Sequence, residues 1–332
     1  MNWLTNLREI KVEITSYCNA ACPGCTRNVT GGKLVDNLDL NHMSLDLWER
    51  IMKHDTKSMQ LETVIFDGNV GDFCMNPDAL RFVELIKLYH PKTNIHISTN
   101  GGTRNQKFWL DLGKLLHNHP HRIDFAIDGL EDTHHIHRRN TTYDKVVTNM
   151  RSFIDAGGQA SWVYTIFDYN THQIEEARRR AIEYGCCIWH TRHSCIPGED
   201  LYTKTKNEEY EITTDTIENF STVFETLKDD MVFDNPRSEY TNHVCSAFNE
   251  RQIQIDFRGI LWPCAYIYAT EVFNDGPTGR SPFYKTESQV DKLNLAKNTL
   301  REILTNDFFR YTLPEAIENK KWEVCKHWCI HE

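Results

Sequence analysis

The sequence has no apolar run approaching the ~20 residues that a helix needs to span a bilayer, so it does not read as a membrane-spanning chain. Its opening residues, Met1 to Glu9, lack the apolar core of a secretion signal. From these two absences we expect a soluble, cytoplasmic protein without a membrane partner. An excess of basic charge is missing too: 37 Lys and Arg face 47 Asp and Glu, for a formal charge of −10. Nucleic-acid surfaces are usually basic, so this balance argues weakly against a nucleic-acid partner. The run Arg178-Arg179-Arg180 reads as a solvated helix face. The chain shows no internal repeat and no low-complexity tract.

Cysteine, by contrast, is plentiful, with 11 in 332 residues. In a reducing compartment clustered cysteines mark metal sites more often than disulfides. Cys18, Cys22 and Cys25 form a C-x3-C-x2-C loop directly after a strand-like run, Glu9 to Thr15. No fourth cysteine lies nearby. Three thiolates on one loop can hold three corners of a [4Fe–4S] cube and leave one iron open to a substrate or cofactor. A zinc site competes with this reading, although zinc favours C-x2-C pairs with a fourth ligand. A second group comprises Cys245, Cys264, Cys325 and Cys329. It suits either a second iron–sulfur cluster or a structural zinc knuckle. Cys74, Cys186, Cys187 and Cys195 are scattered.

Between these groups the chain alternates. Helical patterns at Ser44–His54, Pro77–Tyr89, Asn105–His117, Tyr143–Ala156 and Thr171–Tyr184 separate strand patterns at Thr63–Phe66, Asn94–Ser98, Arg122–Ile127, Ala160–Phe167 and Cys187–Thr191. With the first strand this makes six βα-type units, which argues for a parallel sheet with helices outside it. The loops after strands carry Gly, Asn, Asp and Cys, and ligands of parallel α/β folds bind at that end. Six units are too few for a closed eight-stranded barrel. The expected fold class is therefore α/β: a partial (β/α)6 TIM-like barrel over residues 1–200. A helical linker follows over 201–242, with one amphipathic helix near Thr214–Lys228. A small α+β unit occupies 243–332. It holds a hairpin-like pair, Gln252–Phe257 and Ile260–Trp262, and a helix near Thr299–Phe309.

With these residues in place, nearly the whole chain resembles the radical S-adenosylmethionine (SAM) superfamily. The resemblance implies that the amino and carboxylate groups of SAM chelate the open iron. An electron from the cluster then breaks the sulfonium C–S bond and gives a 5′-deoxyadenosyl radical. Gly68-Asn69-Val70-Gly71-Asp72 resembles the family's Gly-rich turn for the methionine amino group. Thr99-Asn100-Gly101 resembles the end of its third strand. Asp128-Gly129 with His134 and Arg138 resembles its D-G-x4-H-x3-R stretch, in which the acid suits ribose hydroxyls and the arginine suits the methionine carboxylate. Asn170 fits after strand five. Gly68, Asn69, Gly71, Asp72, Asn100, Asp128 and Arg138 are thus the implied SAM contacts. Two positions depart from the pattern: Gly24 stands where an aromatic usually lies beside adenine, and Ala126 stands where Ser is frequent.

The C-terminal unit resembles the SPASM/Twitch auxiliary-cluster domain through Cys245-x13-Gly259-x4-Cys264 and Cys325-x3-Cys329. Four cysteines imply the shorter Twitch form, with one auxiliary [4Fe–4S] cluster that handles an electron. The implied activity is hydrogen abstraction from a peptide or small-molecule substrate, with flavodoxin or ferredoxin as electron donor. The short stretch before Cys18 is expected to leave no room for a peptide-recognition or cobalamin domain. His190, Arg192 and Cys195 are candidates for substrate chemistry, against the plainer reading of core or incidental residues. His134, His135 and His137 look like a metal cluster, but a loop and helix start with one SAM contact explains them as well. A non-catalytic iron–sulfur or zinc sensor is the alternative function.

Overall fold

The computed structural model describes residues 7–23, 25, 27–29, 33–35, 38–57, 59–193, 245, 251–265, 267–268 and 287–319. The expected linker over 201–242, with its helix, lies outside them. So do Cys195, Cys325 and Cys329. The strands are β1 (Glu9–Val12), β2 (Asn28–Val29), β3 (Lys33–Leu34), β4 (Thr63–Phe66), β5 (Asn94–Thr99), β6 (His121–Ala126), β7 (Ala160–Ile166), β8 (Ile188–His193), β9 (Gln252–Ile255) and β10 (Leu261–Trp262). The main helices are α1 (Leu45–Arg50), α2 (Ala79–Tyr89), α3 (Gln106–Leu116), α4 (His134–His137), α5 (Tyr143–Asp155), α6 (Ile174–Glu183), α7 (Glu287–Lys292), α8 (Leu300–Leu304) and α9 (Leu313–Glu318). No helix among the described residues is long and apolar enough to cross a membrane.

Two compact units emerge. One is drawn from Met1–Tyr17, Asp36–His96 and Arg237–Glu332, and the other from Cys18–Val35 and Ile97–Pro236. In the first, β1 pairs in parallel with β4, Ile10 beside Val64 and Val12 beside Phe66. These four side chains are fully buried, as alternation on a half-buried strand dictates. Ser44 starts α1 by accepting from Leu47 N–H, a normal N-cap. The helix then widens into a π turn over Ile51–Asp55. The Thr56 hydroxyl donates to the carbonyls of Ile51 (3.0 Å) and Met52 (3.1 Å) there. Trp48 of α1 stacks on Phe82 of α2 at 5.8 Å and donates its indole N–H to the Phe82 carbonyl.

The C-terminal hairpin forms as expected, with β9 antiparallel to β10. Its turn is built on fully buried Asp256, which accepts from Arg258 N–H (2.9 Å), Ile260 N–H (3.0 Å) and the Trp262 indole (3.1 Å). Gly259 has φ +81°, which favours glycine there. Beyond that expectation, β9 also pairs in parallel with β1, Ile10 beside Ile253 and Val12 beside Ile255. This buried strand, alternating Gln and Ile, thereby covers an edge of β1 that would otherwise present unpaired N–H and C=O groups.

In the second unit β6, β7 and β8 run parallel, Phe125 beside Trp162 and Trp162 beside Trp189. β7 is buried along nearly its whole length, the mark of a central parallel strand. Helices α3 and α5 pack closely at Gly113, where an added Cβ would lie 2.5 Å from the Phe153 carbonyl oxygen. A short hairpin, β2 with β3, follows the cysteine loop.

Candidate active site

The cysteine loop coils on itself in the second unit. Cys25 N–H donates to the Cys22 carbonyl (3.2 Å), Asn28 Nδ2 to the same carbonyl (3.3 Å), and Asn28 N–H to the Cys25 carbonyl (2.9 Å). Ala21 N–H reaches the Arg139 carbonyl at 3.1 Å. Cys22 is buried, and Cys18 and Cys25 are half-buried. Two donors are directed at sulfur: Asn100 Nδ2 lies 3.6 Å from Cys18 Sγ, and Arg138 Nη1 lies 3.9 Å from Cys22 Sγ. Burial pushes the Cys22 thiol up to about 11 against the pull of Arg138, and it raises Cys25 as well. Thiolates here therefore require added positive charge. Three cysteine sulfurs on one loop, with an amide and a guanidinium turned toward two of them, fit an anionic iron–sulfur cluster.

Arg138 is fixed from behind by Asp128. The Asp128 side chain is fully buried, and its Oδ2 meets Arg138 Nε (2.5 Å) and His137 Nδ1 (2.7 Å). Its Oδ1 accepts from Thr165 N–H at 2.7 Å. Burial alone would raise the Asp128 carboxyl; Arg138 and His137 outweigh it and hold the group well below the usual carboxylate range. His137 also bonds to the backbone of Pro23, within the cysteine loop. Its ring packs on Phe167 at 4.6 Å. The motif position pointed to His134, but that residue is fully buried and faces Thr141 Oγ1 at 2.9 Å. His137 has no counterpart in the motif and was seen in the sequence only as one of three neighbouring histidines.

Asn100 and Asn19 exchange side-chain hydrogen bonds at 3.0 and 3.3 Å. Asn170 is a buried clamp: it accepts from Phe167 N–H and donates to the carbonyls of Asp128 and Thr165. Asn100 thus reaches the loop at Cys18, and a second chain of contacts runs from Asp128 through Arg138 to Cys22. Gly68, Asn69, Gly71 and Asp72 form a turn in the first unit. Asp67 accepts from Gly68 N–H (3.0 Å) and Asn69 Nδ2 (2.7 Å), and Asp72 accepts from Cys74 N–H (3.0 Å).

On β8, His190 is buried and Arg192 exposed; two residues apart, they share a strand face. Cys195, like Cys325 and Cys329, is outside the described residues. Of the second cysteine group, Cys245 is half-buried, and buried Cys264 accepts from Ile267 N–H at 3.5 Å.

Residues 12–181, more than half of the chain, match the model of the radical SAM superfamily. The chain belongs to that superfamily and is an enzyme, and the non-catalytic sensor is set aside. Membership brings SAM and a [4Fe–4S] cluster as its cofactors. No curated protein sequence matches the chain significantly. Among solved structures it is similar to Streptococcus suis SuiB bound to precursor peptide SuiA, at 15% identity and a TM-score of 0.61, over 91% of this chain and 65% of that one. For SuiB bound to S-adenosylmethionine the values are 16%, 0.56, 79% and 61%. For a hexahistidine-tagged anSMEcpe with bound AdoMet they are 15%, 0.59, 91% and 78%. The chain spans 61% to 65% of the length of these SuiB chains. At such identities the likeness is one of fold: an α/β partial TIM-like barrel with a parallel sheet.

Proposed function

We propose that this enzyme cleaves SAM reductively at a cluster held by Cys18, Cys22 and Cys25, and abstracts hydrogen from a peptide or small molecule. The observation that carries this is the directed pair of donors, Asn100 on Cys18 and Arg138 on Cys22, at a loop of three cysteines. When bound, the cluster supplies an electron to SAM, which in turn supplies a carbon radical. The chain's own residues orient and compensate. Arg138, locked by Asp128 and His137, brings positive charge to Cys22 and stands ready for the methionine carboxylate. Asp128 acts through Arg138, as its oxygens are engaged by Arg138, His137 and Thr165. The Gly68–Asp72 turn takes the methionine amino group.

A second [4Fe–4S] cluster is proposed on Cys245, Cys264, Cys325 and Cys329, in a Twitch-like segment over 243–332, where it handles an electron. Clustered cysteines of this kind suit a reducing, cytoplasmic setting, with flavodoxin or ferredoxin as electron donor. Peptide substrates gain support from fold analogy to enzymes solved with bound peptides. His190 and Arg192 are proposed to face substrate.

The test is anaerobic reconstitution with iron and sulfide, then dithionite and SAM, with chromatography for 5′-deoxyadenosine. Its formation is expected in the wild type and its loss in the Cys18→Ala/Cys22→Ala/Cys25→Ala variant. Cleavage that survives in the triple variant would sink the assignment.

A further inference from the structure

Glu13 follows β1 and is 1% exposed. A carboxylate so deep in a core needs a reason, and its hydrogen bonds give one. It accepts from three consecutive backbone N–H groups of one turn: Asn69 (2.8 Å) and Val70 (3.3 Å) on Oε1, and Gly71 (3.4 Å) on Oε2. Successive amides aimed at one point make an anion-binding nest, and here the chain fills the nest with its own side chain. Without that acceptor, buried Val70 and Gly71 would keep N–H groups with no partner in place of Glu13.

The other side of the turn is equally constrained. A Cβ on Gly71 would lie 2.1 Å from the Thr15 carbonyl oxygen, and Asp72 N–H donates to the Tyr17 carbonyl at 2.9 Å. The turn is therefore gripped between the Glu13 carboxylate and the backbone that leads directly into Cys18. Glu13 is itself held, as its N–H donates to the Ile255 carbonyl at the end of β9 (2.9 Å). The Tyr268 phenol, fully buried and without a hydrogen-bond partner among the described residues, lies close enough to feel its charge. Burial, reinforced by Asp67, raises the Glu13 carboxyl well above the usual carboxylate range, and the three amides pull it back only in part.

We propose that Glu13 is a positioning residue for SAM: it holds Asn69–Gly71 in the backbone conformation that presents the turn to the methionine amino group. The inference rests on the proposed role of that turn. It assigns the work to an acceptor side chain rather than to bulk packing, so two variants of equal size separate the two. Glu13→Met fills the space without an acceptor; Glu13→Gln keeps an oxygen for Asn69 and Val70.

The measurement is SAM affinity on cluster-loaded protein, with iron content and hydrogen exchange of amides 69–71 followed in parallel. Glu13→Met should weaken SAM binding about tenfold or more, and Glu13→Gln should stay within about threefold of wild type. Iron content should be unchanged in both. The Michaelis constant for SAM should rise in Glu13→Met with little change in turnover at saturation. Amides 69–71 should exchange at least about tenfold faster in Glu13→Met alone. Equal behaviour of the two variants, in affinity and in exchange, would overturn the proposal. If Glu13→Met loads no cluster, the exchange comparison decides on its own. If loaded wild type binds no SAM at all, the proposed function fails first, and fast exchange in Glu13→Met would then show only that Glu13 shapes the turn.

Discussion

Asp128 and Arg138 illustrate how a residue's role depends on what stands behind it. Asp128 is fully buried and its carboxylate is surrounded by chain donors, so removing Arg138 leaves a buried charge with weaker compensation. Arg138→Gln should cost about 3–5 kcal/mol of stability, read from denaturant melts at neutral pH. Arg138→Lys should recover only part of this, since one ammonium cannot meet both Asp128 and Cys22 as the guanidinium fork does. A melt of Arg138→Gln that overlays wild type would refute the account. His134 gives a pH prediction. Burial lowers it from 6.5 to about 4, so the folded chain binds fewer protons than the unfolded one between those values. Its contribution is complete above pH 6.5 and is lost as pH falls. Stability should drop by about 1 kcal/mol from about pH 6.5 to 5.5 through this group. His134→Gln should flatten that part of the pH profile, and the difference between the two profiles separates this group from others that titrate there. An unchanged slope would contradict the assignment. The motif singled out Asp128, His134 and Arg138; Asp128 meets Arg138 and His137, while His134 faces Thr141. A spacing pattern does not say which face of the four-residue helix α4 turns toward the carboxylate.

Elements were legible wherever a local chemical signal exists. Ser44, Asn105, Thr142 and Thr299 each accept from the backbone N–H three residues on, so the starts of α1, α3, α5 and α8 fall within a residue of the patterns. The β9–β10 turn was legible through Arg258-Gly259. The parallel pairing of β9 with β1 was not, because it joins Ile253 to Ile10 across most of the chain and leaves no local trace. The β2–β3 hairpin was hidden by its two-residue strands. The widening at Ile51 depends on a hydroxyl, Thr56, that lies outside the helix pattern. Gly113 tests the packing of α3 on α5. Helix propensity alone predicts that Gly113→Ala stabilises by about 1 kcal/mol. The added methyl would sit 2.5 Å from the Phe153 carbonyl oxygen and 2.7 Å from Ala156 Cβ, and helix backbone yields little. Overpacking should win, with a net loss of about 1–3 kcal/mol in a chemical melt. A more stable Gly113→Ala variant would mean that the two helices separate more easily than this contact implies.

At the scale of the whole molecule, the alternation of strands and helices announced the fold class, because a parallel sheet requires crossover helices. Chain order did not announce how compactness is distributed: 237–332 groups with the segments holding β1 and β4. That grouping sharpens what removal of each cysteine set should do. A detachable appendage could be removed without touching the support of the Gly68–Asp72 turn. β9 instead forms part of the same sheet as β1, and Glu13 N–H bonds to Ile255, so the segment carrying Cys264 is continuous with the support of the Gly68–Asp72 turn. Reconstituted wild type should hold about eight irons per chain, and Cys18→Ala/Cys22→Ala/Cys25→Ala about four with no 5′-deoxyadenosine. Cys245→Ala/Cys264→Ala should also hold about four. In that variant SAM cleavage should persist but become uncoupled from product, because the three-cysteine site keeps Asn100 and Arg138. Iron by colorimetric assay and 5′-deoxyadenosine per product by chromatography read the two effects separately. An iron content of about eight in Cys245→Ala/Cys264→Ala would remove the second cluster from these ligands. Loss of all iron would instead show that the C-terminal cysteines are needed to form the first site.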